Sequence, residues 1–281
     1  MQRYNQKKRK IAYFILAVVY GPAALGTNTT EVIQQGESNS FDISQVGDLN
    51  SSIAKQNGHR NLLDITQIGY ANGIQGVQIQ QAIQMGDDNK AVLSQIGDDN
   101  NILLSQMGDD NTAFLSQMGD DNNILLSQIG DYNTASLSQV GDNLLVDAIQ
   151  DGYNNNLTAQ QTGSSHQAIF AQFGRDNRID ALQDGIGHHA ELAQHGWGNE
   201  IQLVQSGIYQ HAIVEQQGDA NIAEIFQSGA DNFGYIGQFG DGNAAQLEQQ
   251  GDDNHAEIYQ TGNDNNINVF QTGGEFVVIE Q

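Results

Sequence analysis

The chain has 281 residues, with 32 Gly, one Pro, no Cys and a formal net charge of -24. The acidic balance argues against nucleic acid as a partner, and the lack of Cys excludes disulfide cross-links. Because Pro22 is the only proline and lies near the N-terminus, nothing after it interrupts backbone pairing.

The N-terminal segment, residues 1–26, differs from the rest of the chain. Its basic residues are Arg3, Lys7, Lys8, Arg9 and Lys10. An apolar run, Ile11 to Tyr20, and small residues up to Gly26 follow, which predicts a secretory signal peptide over residues 1–26. The alternative, an uncleaved anchor, is disfavoured because the run is about half the ~20 residues of a membrane span. Cleavage would leave residues 27–281 with no span and a net charge of -29, because residues 1–26 hold five basic and no acidic side chains.

An internal repeat organises residues 27–281. The motif Gln-x-Gly begins at Gln34, Gln45, Gln56 and Gln67, then recurs at every eleventh position from Gln84 to Gln271, which gives 22 copies. Asn follows at the fifth position after the Gln in 17 of them. The irregular join lies near residues 68–83, where the spacing is 17, and residues 274–281 form an atypical last unit. There Phe276 replaces Asn, and Glu280 falls at an expected inward position.

An eleven-residue period fits either a right-handed helical coiled coil or a strand and a turn. Within each unit the recurring residue types fall at every second position, as in Asn100 to Gln106, which is typical of a strand. A helix would also lose about 1 kcal/mol for the Gly in each unit, or roughly 20 kcal/mol in all. The sequence therefore predicts an all-β, two-sheet β-solenoid of about 22 strand-turn units.

Near-copies two units apart, such as Asn100 to Asp121 and Asn122 to Asp142, predict that two units form one coil. The inward site at the seventh position after each Gln alternates Ala and Ile up to Val146, where the alternation loses its phase. Small residues on one sheet would face large ones on the other across a thin core. A single coil has too small a core to fold alone, so stability comes from stacking.

The buried amides are the candidate assembly elements. An unpaired buried amide costs about 1–3 kcal/mol, so each should bond the identical residue one coil away and form an amyloid-like ladder along the axis. The predicted ladder residues are Gln84, Gln95, Gln106, Gln117, Gln128, Gln139, Asn89, Asn100, Asn111, Asn122 and Asn133. The terminal coils would leave these ladders unfinished, because the sequence shows no polar cap. End-to-end addition of identical chains would follow.

The pattern Gln-x-Gly-x-x-Asn-x-Ala-x-x-x-Gln, present at Gln84 to Gln95, Gln106 to Gln117 and Gln238 to Gln249, resembles the curlin repeat of curli fimbriae. The resemblance implies a secreted fimbrial subunit on the surface of a Gram-negative bacterium, active in biofilm matrix, adhesion and cell aggregation. It also implies an outer-membrane curlin secretion channel and a nucleator subunit as partners. The chain departs from the family in having 22 half-units, which leaves open whether it is the major subunit or a minor nucleator.

Paired aspartates occupy many turns, typically as Gly-Asp-Asp-Asn. The candidate turn residues are Asp87, Asp88, Asp98, Asp99, Asp109, Asp110, Asp120 and Asp121. One interpretation is turn chemistry and solubility, since Asp tolerates left-handed backbone. A second is gatekeeping, in which stacked like charges slow premature polymerisation. A third is calcium binding.

Few other residues suggest a site. His166 and His188 stand one coil apart at the Asn position, with Gln210 next, and are either tolerated polar substitutions or a metal or pH site. No nucleophile and base spacing, phosphate loop or Cys/His cluster occurs, so we expect neither enzymatic activity nor a cofactor. The rival class is a monomeric calcium- or ice-binding β-solenoid, but the eleven-residue period and irregular outward rows fit neither well.

Overall fold

A computed structural model of the protein describes residues 28–72 and 81–281. The predicted signal peptide lies outside the described residues, as does most of the irregular join. The strands are β1 (Thr29–Gln35), β2 (Ser40–Val46), β3 (Ser51–Asn57), β4 (Leu62–Ile68), β5 (Gln81–Met85), β6 (Lys90–Ile96), β7 (Asn101–Met107), β8 (Thr112–Met118), β9 (Asn123–Asp131), β10 (Thr134–Asp142), β11 (Leu145–Tyr153) and β12 (Asn156–Ser164). They continue as β13 (Gln167–Arg175), β14 (Arg178–Ile186), β15 (His189–Trp197), β16 (Glu200–Ile208), β17 (His211–Gln217), β18 (Ile222–Ala230), β19 (Phe233–Phe239), β20 (Ala244–Gln250), β21 (His255–Thr261), β22 (Asn266–Thr272) and β23 (Phe276–Glu280). The part of the chain that is described contains no helix.

The strands wind alternately through two parallel sheets. The first sheet holds the 12 odd-numbered strands and the second the 11 even-numbered strands, each stacked in chain order. Neighbours in a sheet pair in parallel at a sequence offset of 22, as in Gln106 opposite Gln128, so two units form one coil. Across the irregular join the offset is 28, with Gln56 opposite Gln84. The predicted all-β solenoid and its two-unit coil are confirmed.

The core is a thin apolar layer between the sheets. In most strands two alternate apolar side chains and the Gln point inward, while the residues between them lie at the surface. In β7, for example, the second, fourth and sixth residues are buried and the others are exposed or half-buried. Ile102 and Leu104 are both fully buried there. Strand alternation therefore assigns the inward and outward residues correctly.

Large and small core residues exchange sheets in the middle of the solenoid. In β6, β8 and β10 the first inward site of the second sheet is Ala, and in β12, β14 and β16 it is Leu or Ile. In the first sheet the same site is Ile in β7 and β9 and Ala in β13 and β15. At the exchange Val146 and Leu157 are both large, and the second inward sites of the same strands are Ala148 and Ala159. At the change of phase β11 and β12 thus each carry one large and one small inward side chain, which offsets the two large residues at the first site.

Replacing Ala148 with leucine is expected to destabilise the protein by about 1–3 kcal/mol, since Ala148 is 1% exposed and β11 already carries Val146. Adding Val146→Ala should recover part of the loss, because β11 would then carry a small residue followed by a large one, as β13 does with Ala168 and Phe170. The denaturant midpoint measures both effects. A double variant less stable than Ala148→Leu alone would contradict volume compensation.

The last strand corrects the expectation for Glu280. β23 pairs with β21 at an offset one residue shorter than that of the regular coils, with Tyr259 opposite Glu280, because the final unit is one residue shorter. Glu280 is therefore exposed on the outer face, while Val277 and Ile279 pack against the core. The prediction that Glu280 points inward was wrong.

Candidate assembly site

Glutamine side chains form two continuous ladders inside the solenoid. In the first sheet the Nε2 of Gln84 donates to the Oε1 of Gln106 at 2.8 Å, and Gln106 donates to Gln128 at 2.9 Å. In the second sheet the same bonds join Gln95 to Gln117 at 2.8 Å and Gln117 to Gln139 at 2.9 Å. All six side chains are fully buried. Each ladder therefore has a direction, with donors facing the C-terminal coil.

The second Nε2 proton of these glutamines bonds the backbone. Gln106 donates to the carbonyl oxygen of Lys90 at 3.1 Å, and Gln117 donates to that of Asn101 at 3.0 Å. In both cases the acceptor is the first residue of the preceding strand, which lies in the opposite sheet. The glutamines consequently tie the two sheets together as well as successive coils. The residue pattern alone carries no signal for this bond.

The asparagines bond mainly to backbone atoms. The Oδ1 of Asn89 accepts the N–H of Asn111 at 3.1 Å, and its Nδ2 donates to the carbonyl oxygen of Gly108 at 2.7 Å. Asn100 makes the same two bonds to Asn122 and Gly119. Direct amide-to-amide bonds occur in a subset of the described pairs. Examples are Asn133 to Asn111 and Asn155 to Asn133, at 3.2 and 3.1 Å.

The paired aspartates have two different roles in the turns. The first of each pair accepts a backbone N–H from the previous coil, as from Asp87 to the Oδ1 of Asp109 and from Asp98 to the Oδ1 of Asp120, both at 2.8 Å. The second residue of each pair adopts left-handed backbone. The φ values are 59° at Asp88, 54° at Asp99, 58° at Asp110 and 58° at Asp121. The carboxylates therefore take part in turn geometry as well as in charge.

One turn carboxylate has a cationic partner. Arg60 donates to both carboxylate oxygens of Asp88, one coil away, and this bond with its positive charge lowers the pKa of Asp88. The pair lies at the surface, where such bridges contribute little to stability.

Neither a metal cluster nor a membrane-spanning helix occurs in the described part of the chain. Among residues 28–72 and 81–281, no group of three or more His, Cys, Asp or Glu side chains is arranged to hold a metal ion. Over the same residues, no helix has the length and apolarity needed to span a membrane.

Parallel in-register strands and buried amide ladders define a β-solenoid of the amyloid-like class. The family model described as Curlin associated repeat matches residues 36–69, 81–108, 108–141, 152–185, 218–251 and 240–273. Because these matches cover more than half of the sequence, the chain belongs to the curlin-repeat family. No curated protein matches it.

The family and the fold identify the chain in general terms as a structural subunit of curli-type fibres. Residues 186–217 lie between two matched segments but continue the same coils through β15 and β16. The solenoid is therefore continuous through a segment that the family model does not match.

Proposed function

We propose that the protein is an extracellular subunit that polymerises end to end into curli-like amyloid fibres. The observation that carries this proposal is the parallel stacking of coils at a constant offset. Among the described residues, β1 and β23 end the first sheet and β2 and β22 end the second, each with one edge unpaired. Unpaired strand edges are templates for pairing with another chain.

The contacts that join coils within the chain are the contacts that a second copy would supply. At the C-terminal end Val277 and Ile279 are only partly buried, and at the other end so are Phe41 and Ile43. A second copy stacked there would cover the core layer and extend the backbone pairing. The parallel, same-direction stacking of the strands favours head-to-tail addition. In the second ladder the last glutamine, Gln271, donates to the carbonyl oxygens of His255 and Glu275 at 3.0 Å each, so at that position a second copy would be joined by the strand edges and the core layer.

Further parts of the proposal rest on the sequence pattern of residues 1–26 and on the family. Residues 1–26 would direct export and be removed, a curlin channel of a Gram-negative outer membrane would release residues 27–281, and a nucleator subunit would start growth. The fibre would serve in biofilm matrix, adhesion and cell aggregation. A role as the minor nucleator itself is the alternative within the family.

The test uses residues 27–281 diluted out of denaturant. We expect sedimenting fibres with cross-β spacings of about 4.7 and 10 Å, and faster growth when fragmented fibres are added as seeds. A β-rich monomer that stays in solution at every concentration would contradict the proposal. That outcome would favour the monomeric calcium- or ice-binding solenoid instead.

We further propose that the turn carboxylates slow assembly. Two charges ~4.8 Å apart in water repel by about 0.9 kcal/mol before salt screening, which is roughly a fourfold effect on a rate for each pair. Asp98→Asn with Asp120→Asn removes charge and keeps the Oδ1 acceptor, so we expect a shorter lag phase that depends less on salt. Thioflavin fluorescence at several salt concentrations would measure the lag.

The matched control is Asp98→Ala with Asp120→Ala, which removes the same charge and also the acceptor for the N–H of Asp98. If the Asn variant assembles faster and the Ala variant does not, then loss of charge speeds assembly, whereas loss of the Oδ1 acceptor disrupts the turn. An unchanged lag in the Asn variant would refute gatekeeping and leave turn chemistry and solubility as the role of these residues.

A further inference from the structure

Two histidines interrupt the row of buried asparagines in the middle of the solenoid. His166 lies between β12 and β13 and His188 between β14 and β15, so they occupy the same corner one coil apart. Each is 1% exposed. Their rings stack with centroids 4.7 Å apart and planes inclined by 4°.

Hydrogen bonds fix the protonation of both rings. The Nδ1 of His166 accepts the backbone N–H of His188 at 3.0 Å, and the Nδ1 of His188 accepts that of Gln210 at 3.1 Å. The Nε2 of His166 lies 2.9 Å from the carbonyl oxygen of Thr162, and that of His188 lies 3.0 Å from the carbonyl oxygen of Asp184. Because a carbonyl only accepts, both rings are neutral with the proton on Nε2.

In this form each imidazole reproduces the bonding of asparagine. Nδ1 replaces the Oδ1 that accepts from the next coil, and Nε2–H replaces the donating Nδ2. Asn122, two coils before His166 in the same corner, accepts the N–H of Leu144 through its Oδ1 at 3.0 Å. The histidines therefore continue the contact between coils, but with groups that titrate near neutral pH.

Protonation would turn this contact into a repulsion. If Nδ1 took up a proton, its N–H would point at the backbone N–H whose hydrogen bond Nδ1 accepts in the neutral ring. The positive charge would also lie in a site almost closed to water. Leu144 below the pair and Gln210 above it carry no charge. Asp184 is the charged group that acts on both rings, and its side chain is exposed. Burial lowers the pKa of both histidines, and the charge of His166 lowers that of His188 further.

We propose that His166 and His188 form an acid-sensitive joint, at which protonation of either ring separates the coils that carry residues 166, 188 and 210. The joint lies within one chain, so it does not depend on assembly into fibres. It interrupts the row of corner asparagines, whereas the glutamine ladders, whose amides do not titrate, run through the same coils, as in the bond from Gln161 to Gln183 at 2.8 Å.

The sign of the effect follows from the lowered pKa. The unfolded histidine titrates near 6.5, so the neutral rings contribute stability above that pH, and this contribution is lost as the pH falls toward the lower folded value. At pH 5 protonation can favour the open state by up to about thirtyfold for one histidine and about a thousandfold for both. Most Asp and Glu side chains remain ionised at pH 5, because their usual pKa is about 4.

The experiment is residue-resolved hydrogen exchange on residues 27–281 at pH 7.5 and pH 5, corrected for intrinsic exchange. We expect protection of the His188 and Gln210 amides to fall at least tenfold more than that of the Asn122 and Asn254 amides, which bond Asn100 and Asn232 in the same corner. Equal changes at all four amides would overturn the proposal.

Two variants separate the histidines from other titrating groups. His166→Asn with His188→Asn installs the residue most common at this position and should abolish the local loss of protection at pH 5. Asn100→His with Asn122→His should transfer the loss to residues 122 and 144. Acid sensitivity that persists in the first variant would assign it to carboxylates, and an imidazole nitrogen spectrum showing the proton on Nδ1 would also refute the joint.

Discussion

Replacing Gly119 with alanine is expected to break the stacking of coils at its turn. Gly119 has a φ of +116°, and a Cβ there would lie 2.1 Å from the carbonyl oxygen of Gly141 and 2.8 Å from its carbonyl carbon. These are backbone atoms of the adjoining coil, so no side chain can move to make room. Strain and overlap together should cost more than about 4 kcal/mol, at the extreme of single substitutions.

Gly198→Ala is the matched control. Its φ is +67° and no atom lies within 4 Å of the position that a Cβ would occupy, so only the left-handed strain of about 1–2 kcal/mol remains. The midpoint of guanidinium unfolding and the yield of sedimented fibres would measure both variants. Equal losses would show that conformational strain, and not the approach of neighbouring backbones, explains the glycine in each unit.

The repeat predicted the fold because one spacing determines several features together. The regular interval between glutamines sets the length of a unit, the near-copies two units apart set the pairing, and period-two alternation assigns the faces. Ile102 and Leu104 are buried and Leu103 is exposed, as the alternation requires. A regular repeat allows few other registers, since a slip of one residue would expose the core face of every strand.

The partners of the buried amides were harder to predict. Residue types show that Asn89 and Gln106 face inward, but their hydrogen bonds depend on where backbone atoms of other coils lie. The Asn side chain is shorter, so it reaches the adjoining turn, at the N–H of Asn111 and the carbonyl of Gly108. The Gln side chain reaches the next Gln and also the opposite sheet. The ladder hypothesis therefore described the contacts of glutamine better than those of asparagine.

The two ends of the predicted array show a different limit. Glu280 was misassigned because counting in units of eleven assumes a constant unit, and the final unit from Gln271 is one residue shorter. Backbone pairing with β21 determines the register there, and that pairing places Val277 and Ile279 over the core. The assignment of residues 1–26 as a signal peptide stays a prediction.

Replacing Gln161 with leucine is expected to open the second ladder in the middle of the solenoid. Gln161 accepts from Gln139 at 2.9 Å, donates to Gln183 at 2.8 Å and donates to the carbonyl oxygen of Leu145 at 3.1 Å. Leucine has a similar size but leaves all three partners without this bond. At roughly 1–3 kcal/mol for each buried group left unpaired, the loss should reach several kcal/mol.

Gln160→Leu provides a control in the same strand, because Gln160 is exposed and its side chain bonds only weakly to Thr162 at 3.5 Å. Its effect on the unfolding free energy should stay within about 0.5 kcal/mol. A double variant, Gln139→Leu with Gln161→Leu, should cost less than the sum of its single changes, because the bond between the two residues is lost only once. Additive losses would mean that each glutamine acts alone, whereas a coupled loss would show that the ladder stabilises the stacked coils as a unit.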